Sequence, residues 1–344
     1  MTDVQPRLVQ VLRGASQVPL PIWLMRQAGR YLPEYMAERQ KFPDFMEFCF
    51  NSEVVTKVTL QPIQRFDFDA AIIFSDILTI PHFLGQTVKF EKGHGPVLAK
   101  VEWANFLSAG VEKDLRENYQ PLFQSIKDVR KALCRHKALI GFVGSPWTIA
   151  TYMIGGGKSK DFSKIVKFAE EEAQTFNRIL DLLTDQVIKL ILGQIQAGCD
   201  VVQIFDSWAA AVPTEYRLQW LWHPLKKIYE AIKMLHPKTP VIYYGKSISS
   251  DYPALIEDLP GLCFGLDQSV NSKWAHGAIQ KFAPVQGNLD PEKLVQGNFE
   301  EDTQIILENL GKGPFVFNLG HGILPTTPIG HVHRLIEIVR AWES

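Results

Sequence analysis

Several features that mark specialised classes of protein are scarce or missing in this sequence. Its 344 residues include only four cysteines, Cys49, Cys134, Cys199 and Cys263, and no two of them form a Cys-x-x-Cys pair. This spacing argues against a disulfide framework or a zinc knuckle and fits a reducing compartment. No apolar run approaches the roughly 18 residues that span a bilayer, and the first residues lack the pattern of a signal peptide. We therefore expect a cytoplasmic protein with no membrane association.

Charge of one sign is not concentrated anywhere in the chain. The 36 lysines and arginines nearly balance the 37 aspartates and glutamates, which gives a formal net charge of -1. Without a basic stripe or a run of lysine and arginine, we expect no nucleic-acid partner. The hydrophobic content of 46% allows a chain of this length to bury one barrel-sized core. Any strong positive potential must therefore be local.

The sequence does contain a series of short apolar segments, each followed by a helical pattern. They show little polar alternation, which is typical of strands buried on both faces of a parallel sheet. Eight such strands interleaved with helices predict an α/β fold, a single-domain (β/α)8 barrel over residues 1–344. The predicted strands are Ile22–Arg26, Ala70–Asp76, Leu139–Ser145, Asp200–Ser207, Pro240–Gly245, Leu262–Asp267, Pro284–Asn288 and Phe315–Gly320.

The segment between the second and third predicted strands is longer than one helix requires. Within it, residues 86–98 alternate between polar and apolar side chains and include the turn-forming sequence Gly93-His94-Gly95-Pro96. We therefore predict an inserted hairpin at the rim of the barrel.

Two arginines at the end of the first predicted strand are the strongest chemical signal. Arg26 closes the strand, and Arg30 follows after the small residues Ala28 and Gly29. Arginine binds carboxylates through two parallel hydrogen bonds, so the pair favours an anionic ligand, and a polycarboxylate in particular. On spacing alone, two solvated arginines at the end of a strand explain the pattern equally well.

Barrel enzymes place their chemistry at the carboxyl ends of the strands, so the residues that close each strand are candidates. Asp76 has apolar neighbours on both sides, and a carboxylate in such a setting needs a partner. That partner is either a structural arginine or a ligand rich in N–H groups. For Asp206 and Asp267, helix capping or an ion pair beneath the rim is the favoured interpretation. The remaining candidates are Ser145, Ser207, Lys246, Asn288, Asn318 and His321.

Neither a nucleotide site nor a metal site is predicted. Residues 155–159, Gly-Gly-Gly-Lys-Ser, resemble the end of a phosphate-binding loop, but Tyr152 stands where the first glycine of that motif belongs. His331 and His333 are two residues apart on a predicted helix, so they point to different faces and cannot bind one ion together. We therefore expect no metal and no cofactor.

The segment from Pro21 to Tyr35 resembles the N-terminal signature of the uroporphyrinogen decarboxylase family. Four further segments also resemble that family, and the resemblance extends over essentially the whole chain. They are Phe74–Leu78, Tyr152 with the glycines after it, Val201–Ala209 and Phe317–Pro325.

The resemblance implies a carboxy-lyase that needs no cofactor. Members of the family remove carbon dioxide from the four acetate side chains of uroporphyrinogen III to give coproporphyrinogen III, on the route to haem and chlorophyll, and they work as homodimers. The implied catalytic residues are Asp76 and Arg26. Asp76 would accept hydrogen bonds from the pyrrole N–H groups, and Arg26 would lie nearest the reacting acetate and manage its proton. The implied substrate-binding residues are Arg26, Gln27, Ala28, Gly29, Arg30, Asp76, Tyr152, Ser207 and His321. Arg39 is a lesser candidate for an outer carboxylate; a solvated helix arginine explains it as well.

Two alternatives remain at this stage. Related barrels use zinc to transfer methyl groups from corrinoid proteins to thiols, and their metal needs histidine and cysteine ligands at the strand ends. The isolated positions of Cys199 and Cys263 argue against this reaction. A non-catalytic tetrapyrrole carrier would also use arginines and a dry pocket, but it would not need a fixed aspartate at the centre of the ring.

Overall fold

The architecture is an α/β barrel built around seven parallel strands. A computed structural model describes residues 5–91, 95–111, 113–157 and 161–343. All seven strands pair in parallel with their neighbours, and nearly all of their residues are buried, as the apolar segments predicted. Their order in the sheet is β1 (Ala70–Ile72), β4 (Ala138–Gly144), β5 (Val201–Asp206), β6 (Val241–Gly245), β7 (Leu262–Gly265), β8 (Val285–Leu289) and β9 (Phe315–Leu319).

The eighth position of the barrel is occupied by an irregular segment, residues 21–25, which we call the closing segment. The prediction of a regular strand over Ile22–Arg26 was wrong, because only Ile22 forms a parallel bridge, with Phe317 of β9. Side chains supply other bonds of the segment. The amide of Ile22 donates to Asp69 Oδ2 at 2.9 Å, and the amide of Met25 donates to Asn318 Oδ1 at 2.9 Å. The segment therefore closes the ring between β9 and the start of β1.

Helices surround the sheet and contribute the outer layer of the core. Several begin at a side-chain cap: Asn51 accepts the amide of Val54, and Ser145 accepts the amide of Thr148. The helices are α1 (Arg7–Leu12), α2 (Pro33–Arg39), α3 (Phe45–Phe50), α4 (Ser52–Phe66), α5 (Thr79–Leu84), α6 (Trp103–Val111), α7 (Gln120–Ala132), α8 (Pro146–Gly155), α9 (Ser163–Glu171), α10 (Ala173–Ala197), α11 (His223–Leu235), α12 (Tyr252–Asp258), α13 (Ser272–Ala275), α14 (Pro291–Gln296), α15 (Glu300–Leu310) and α16 (Ile329–Ala341).

Helix α1 packs against one end of the barrel. Its buried residues Leu8, Val11 and Leu12 join one apolar cluster with Ile140 and Val316 from the strands. This helix therefore blocks the amino-terminal end of the barrel, and a site can open only at the opposite end. Within the described ranges, no helix combines the length and the apolar character needed to cross a membrane.

A chain of hydrogen bonds between polar side chains crosses the barrel interior. Trp23 Nε1 donates to Gln286 Oε1 at 3.1 Å, and Gln286 Nε2 donates to Gln203 Oε1 at 3.0 Å. All three side chains are buried, and these bonds reduce the cost of desolvating their polar groups. The chain links the closing segment to β5 and β8, so it fixes the closing segment from inside the barrel.

The predicted hairpin is confirmed between the first and second strands of the sheet. Its antiparallel strands are β2 (Val88–Glu91) and β3 (Gly95–Leu98), and the predicted turn residues Gly93 and His94 lie outside the described residues. The amide of Leu98 donates to Gly156 O at 2.9 Å, and Val97 forms an antiparallel bridge with Gly157. The hairpin is thus attached to the chain just after α8.

Candidate active site

A cleft opens at the carboxyl ends of the strands, on the side of the barrel away from α1. It has a volume of about 850 Å³, counting the part that is open to solvent. Five of the residues predicted from sequence lie in its wall, together with a mainly apolar lining. Those five are Arg26, Ala28, Asp76, Ser207 and His321, and the other wall residues are Met25, Ile72, Ile73, Phe74, Ser75, Ile77, Phe142, Phe205, Tyr244 and Gly322.

Arg26 enters the cleft from a backbone conformation that few residues adopt. Its φ angle is 61°, in the left-handed region, and its side chain is exposed. Gln27 supports this turn, because its side chain accepts the amide of Leu24 at 3.2 Å and donates to Ala70 O at 3.0 Å. Gln27 is completely buried, so it holds the turn in place, and any effect on a ligand is indirect. Strain of this kind is concentrated at functional sites.

Arg30 and Arg39 differ in how they are held. Arg30 is exposed, and its charge lowers the pKa of Tyr35, against the larger rise that burial causes. Arg39 donates to the carbonyl of Phe42, and its guanidinium lies over the rings of Phe45 and Phe48, at 5.4 and 5.7 Å from their centroids. Arg39 is therefore not the solvated helix arginine that the sequence also allowed.

Asp76 has the electrostatic environment of a functional carboxylate. Burial raises its pKa to about 6, although the amide of Leu78 and the charge of Arg26 both act to lower it. The Leu78 amide donates to Oδ1 at 2.8 Å, and among the described residues neither a hydrogen bond nor an ion pair engages Oδ2. In the part of the chain that the structure describes, no arginine forms an ion pair with Asp76. Of the two partners that the sequence allowed, a ligand is the one that this geometry favours.

A buried network fixes Ser207 relative to Tyr152. Asp206 accepts hydrogen bonds from Thr148 Oγ1 at 2.7 Å and from Tyr243 Oη at 3.0 Å, and burial raises its pKa. The interpretation of Asp206 as a helix cap or ion-pair partner was wrong, because its acceptors bind side-chain hydroxyls. Since Thr148 belongs to α8 and Asp206 ends β5, this contact sets the distance between the elements that carry Tyr152 and Ser207.

Tyr152 lies just outside the wall of the cleft. Burial raises the pKa of the Tyr152 phenol, and a hydrogen bond to Trp208 lowers it. The charge of Asp76 also raises this pKa, and the charge of Arg26 lowers it. The phenol is therefore within electrostatic reach of both proposed catalytic groups. The ring of Tyr152 is half-buried, with its centroid 6.3 Å from that of Trp208.

His321 and Tyr244 form the wall next to β9. The amide of Gly322 donates to His321 Nδ1 at 2.6 Å, and Tyr244 Oη donates to Gly320 O at 2.8 Å. In a neutral ring this contact leaves the proton of His321 on Nε2. Sequence reasoning did not select Tyr244 or Gly322. The available signal was their position in the sequence. Tyr244 immediately precedes Gly245, where a predicted strand ends, and Gly322 immediately follows the candidate His321.

Two further candidates, Asp267 and Gly29, contact backbone groups. Asp267 accepts the amide of Ser247 at 2.7 Å and the amide of Ser269 at 2.8 Å, so it stabilises a loop. It caps no described helix, and the interpretation as a cap or ion-pair partner was wrong for this residue as well. Gly29 packs beside the carbonyl of Arg26, which a Cβ atom would approach to 2.9 Å.

The described residues contain no group of three or more histidine, cysteine, aspartate and glutamate side chains arranged to hold a metal ion. Cys263 is buried, donates to Leu12 O at 3.2 Å and thus faces α1, at the end of the barrel away from the cleft. Cys199 is also buried, and burial raises its pKa well above its ordinary value. The ligands that a zinc methyltransferase needs at the strand ends are therefore not supplied by these two thiols.

Comparison with known proteins agrees with the resemblance noted in the sequence. The model of the uroporphyrinogen decarboxylase family matches residues 3–342. A uroporphyrinogen decarboxylase from Rhodospirillum rubrum is 41% identical over 342 residues, which are 99% of this chain and 98% of the relative. Another, from Sphingopyxis alaskensis, is 43% identical over 339 residues, with 97% and 98% of the two chains covered.

Among solved structures, a methyltransferase from Methanosarcina mazei has a similar fold. Its TM-score is 0.79, its sequence identity is 18%, and the match covers 98% of each chain. At this identity the similarity concerns the fold alone, and it supports the assignment of a (β/α)8-type barrel.

Proposed function

This chain belongs to the uroporphyrinogen decarboxylase family, and from that premise we propose that Asp76 and Arg26 carry the reaction. That reaction is the decarboxylation of the acetate side chains of uroporphyrinogen in tetrapyrrole biosynthesis. In its full form it converts all four acetates of uroporphyrinogen III to methyl groups and gives coproporphyrinogen III. The observation that supports these roles most directly is a carboxylate of raised pKa in a mainly apolar cleft, with one oxygen unused by the described residues.

Asp76 would act on the ring. When carbon dioxide leaves, the electrons of the broken C–C bond need an acceptor, and a pyrrole protonated on carbon provides one. That ring carries a transient positive charge, and a fixed carboxylate in a poorly hydrated cleft stabilises such a charge far better than bulk water does. Oδ2 of Asp76 would accept hydrogen bonds from the pyrrole N–H groups. A proton then adds to the methylene carbon, which becomes the methyl group of the product, and the ring carbon releases the proton that it had gained, which restores the pyrrole.

Arg26 would hold the carboxylate of the reacting acetate. Its side chain reaches into the cleft and donates to no group among the described residues, so its donors are available to a ligand. Because a guanidinium does not give up its proton in proteins, we assign Arg26 to binding and not to proton transfer. Arg30 would bind a more distant carboxylate of the same substrate.

Tyr152, Ser207 and His321 would complete the binding site, while Ala28 and Gly29 would leave room for the ring to approach. Each of the three polar side chains lies in the cleft wall or beside it, on α8, after β5 and after β9. Gln27 would contribute by holding the turn at Arg26. No cofactor is needed in this scheme, since the substrate ring itself accepts the electrons.

The test of the proposed function is turnover of uroporphyrinogen III by the purified protein. We expect release of carbon dioxide and accumulation of coproporphyrinogen, and the Asp76→Asn variant should be slower by about 10²–10³-fold, the scale for deleting one preorganised electrostatic contact. Asp76→Glu keeps the charge and should retain part of the activity. If folded Asp76→Asn reacts at the wild-type rate, the role of the charge is wrong; if the protein binds uroporphyrinogen without turnover, a carrier is the better interpretation.

We further propose, from the family resemblance, a cytoplasmic homodimer. Sedimentation of the protein at assay concentration should then give twice the chain mass of 39.0 kDa. A species of single chain mass that is fully active would contradict the dimer.

A further inference from the structure

The position of the Arg26 side chain depends on the absence of a side chain at residue 322. A Cβ atom built on Gly322 would lie 2.8 Å from Arg26 Cγ and 2.9 Å from Arg26 Nε, with Cδ closer still. Carbon atoms in contact stay about 3.5–4.0 Å apart, so a methyl group cannot share this space with the arginine in its present position. Apart from the two chain neighbours of Gly322, the three heavy atoms of described residues nearest to that Cβ position all belong to Arg26.

The backbone beneath Arg26 cannot move away from such a methyl group at low cost. Asn318 Oδ1 accepts the amide of Met25 at 2.9 Å, and the amide of Ile323 donates to Met25 O at 2.8 Å. Both peptide groups of Met25 are therefore held by the same stretch of chain that carries Gly322. The left-handed φ of Arg26 leaves its own backbone little further freedom.

The Arg26 side chain is exposed to the cleft and also lies against Gly322. No hydrogen bond or ion pair with a described residue holds its guanidinium, so the contact with Gly322 is a constraint on where it lies. A group that binds a carboxylate through two hydrogen bonds loses much of its effect when it is displaced by about 1 Å.

We propose that Gly322 is a positioning residue that places the Arg26 guanidinium over the cleft, and that it limits how the substrate carboxylate can bind. The proposal rests on the proposed function, since it acts through the carboxylate contact assigned to Arg26. The proposal gives Gly322, which follows His321, a steric role. The backbone at Gly322 is outside the left-handed region, so an alanine fits its conformation and keeps the amide that donates to His321 Nδ1.

The kinetic test compares Gly322→Ala with a glycine-to-alanine control elsewhere. Outside its own stretch of helix, no described residue has a heavy atom within 4 Å of the position that a Cβ would take at Gly330, and the φ of Gly330 is also outside the left-handed region. We expect Gly322→Ala to lower kcat/KM for uroporphyrinogen at least tenfold, which is about 1.4 kcal/mol, mainly through KM. Gly330→Ala should remain within about twofold of wild type. Wild-type kinetics for folded Gly322→Ala would overturn the proposal.

A stability cycle without substrate tests the steric claim by itself. Arg26→Ala removes the three atoms that meet the new methyl group, so Gly322→Ala should lower the midpoint of urea unfolding in the wild-type background and leave it unchanged in the Arg26→Ala background. Failure of Gly322→Ala to fold, with recovery of folding in the double variant, would support the proposal equally. An equal loss in both backgrounds, or failure of both to fold, would overturn it.

The two measurements separate this proposal from the proposed function. If Arg26→Ala alone decarboxylates at the wild-type rate, the catalytic assignment of Arg26 fails while the stability cycle can still show the contact. If the cycle shows no coupling while Arg26→Ala is inactive, the proposed function stands and the role of Gly322 is wrong.

Discussion

At the scale of single residues, the site contains two residues in environments that are unusual for their type. Asp76 is a carboxyl group whose pKa is raised by burial, and Arg26 is an arginine with a left-handed backbone. Each is unfavourable for the folded protein by itself, and each is retained where a ligand could use it. Such residues are the places where stability and activity are expected to conflict.

Asp76 gives a prediction for pH dependence. An acid whose pKa is higher in the folded protein binds its proton more tightly in the folded state than in the unfolded state. The contribution of Asp76 to the free energy of unfolding therefore decreases as the pH rises from about 4 to about 6. Ionised Asp76 therefore costs stability above pH 6, on the order of 1 kcal/mol after allowance for its partial exposure to the cleft. Asp76→Asn should be more stable than wild type at pH 8, and this gain should disappear near pH 4.

The same ionisation should control the reaction. If the charged form is required, kcat/KM falls as the pH drops through about 6, the pKa that burial gives to Asp76 in the free protein. Substrate carboxylates also titrate in acid, so the residual activity of Asp76→Asn is the control. An acid limb of the same position and steepness in that variant would assign it to the substrate.

The arginines give a prediction in which charge is kept and geometry is changed. Arg26→Lys and Arg30→Lys should each lower kcat/KM at least tenfold, about 1.4 kcal/mol, because lysine cannot form the two-pronged carboxylate contact. Arg178, exposed on α10 away from the cleft, supplies the control substitution Arg178→Lys, which should leave kinetics unchanged. Wild-type kinetics for both cleft variants would mean that these arginines are solvated surface groups.

At the scale of elements, the hairpin and α8 behave as one unit. Gln86 is buried just before β2, and its Nε2 donates to Ala99 O at 2.7 Å and to Met153 O at 3.1 Å. The hairpin therefore supports the helix that carries Tyr152, although neither β2 nor β3 contributes a residue to the wall of the cleft.

Gly157 tests this attachment. Its φ is 149°, and a Cβ atom there would lie 2.6 Å from Pro96 O, so Gly157→Ala should separate the hairpin from the chain after α8 at a cost of roughly 1–3 kcal/mol. Gly14 has φ 97°, and apart from its two chain neighbours no described residue has a heavy atom within 4 Å of its Cβ position, so it is the matched control for backbone strain alone. Hydrogen exchange at the Leu98 amide should accelerate in Gly157→Ala only. Equal exchange in both variants would show that the attachment does not depend on this contact.

At the scale of the whole molecule, the sequence predicted the seven strands of the sheet, the inserted hairpin and the end of the barrel at which the cleft opens. Apolar segments and turn residues encode these features locally. The place of the closing segment in the barrel was predicted, but its irregular form could not be, because its amides bond to side chains that lie 47 and 293 residues away. Burial of Gln27 and the contact of Gly322 with Arg26 likewise arise only when distant segments pack. The sequence pointed to Asp76 because a carboxylate conflicts with its apolar neighbours, and to Arg26 because it pairs with Arg30 at the end of a predicted strand.

Cofactor independence is also a property of the whole molecule. Because the protonated pyrrole ring of the substrate accepts the electrons, dialysis against a strong chelator should leave turnover unchanged. The measurement is the rate of coproporphyrinogen formation before and after dialysis, with and without added zinc. Loss of activity that zinc restores would favour the methyltransferase alternative.

The closing segment also ties the assembly of the site to the order in which the chain is made. Met25 and Asn318 are 293 residues apart, so at about 5–20 residues per second a ribosome needs on the order of 15–60 s to supply the partner that holds the backbone before Arg26. During that interval Ile22, Trp23 and Leu24, which are fully buried in the finished barrel, have no completed interior to enter. The closing segment thus waits for β9, and a nascent chain that stops before β9 has neither a closed ring nor the bond from Met25 to Asn318 that holds the backbone before Arg26.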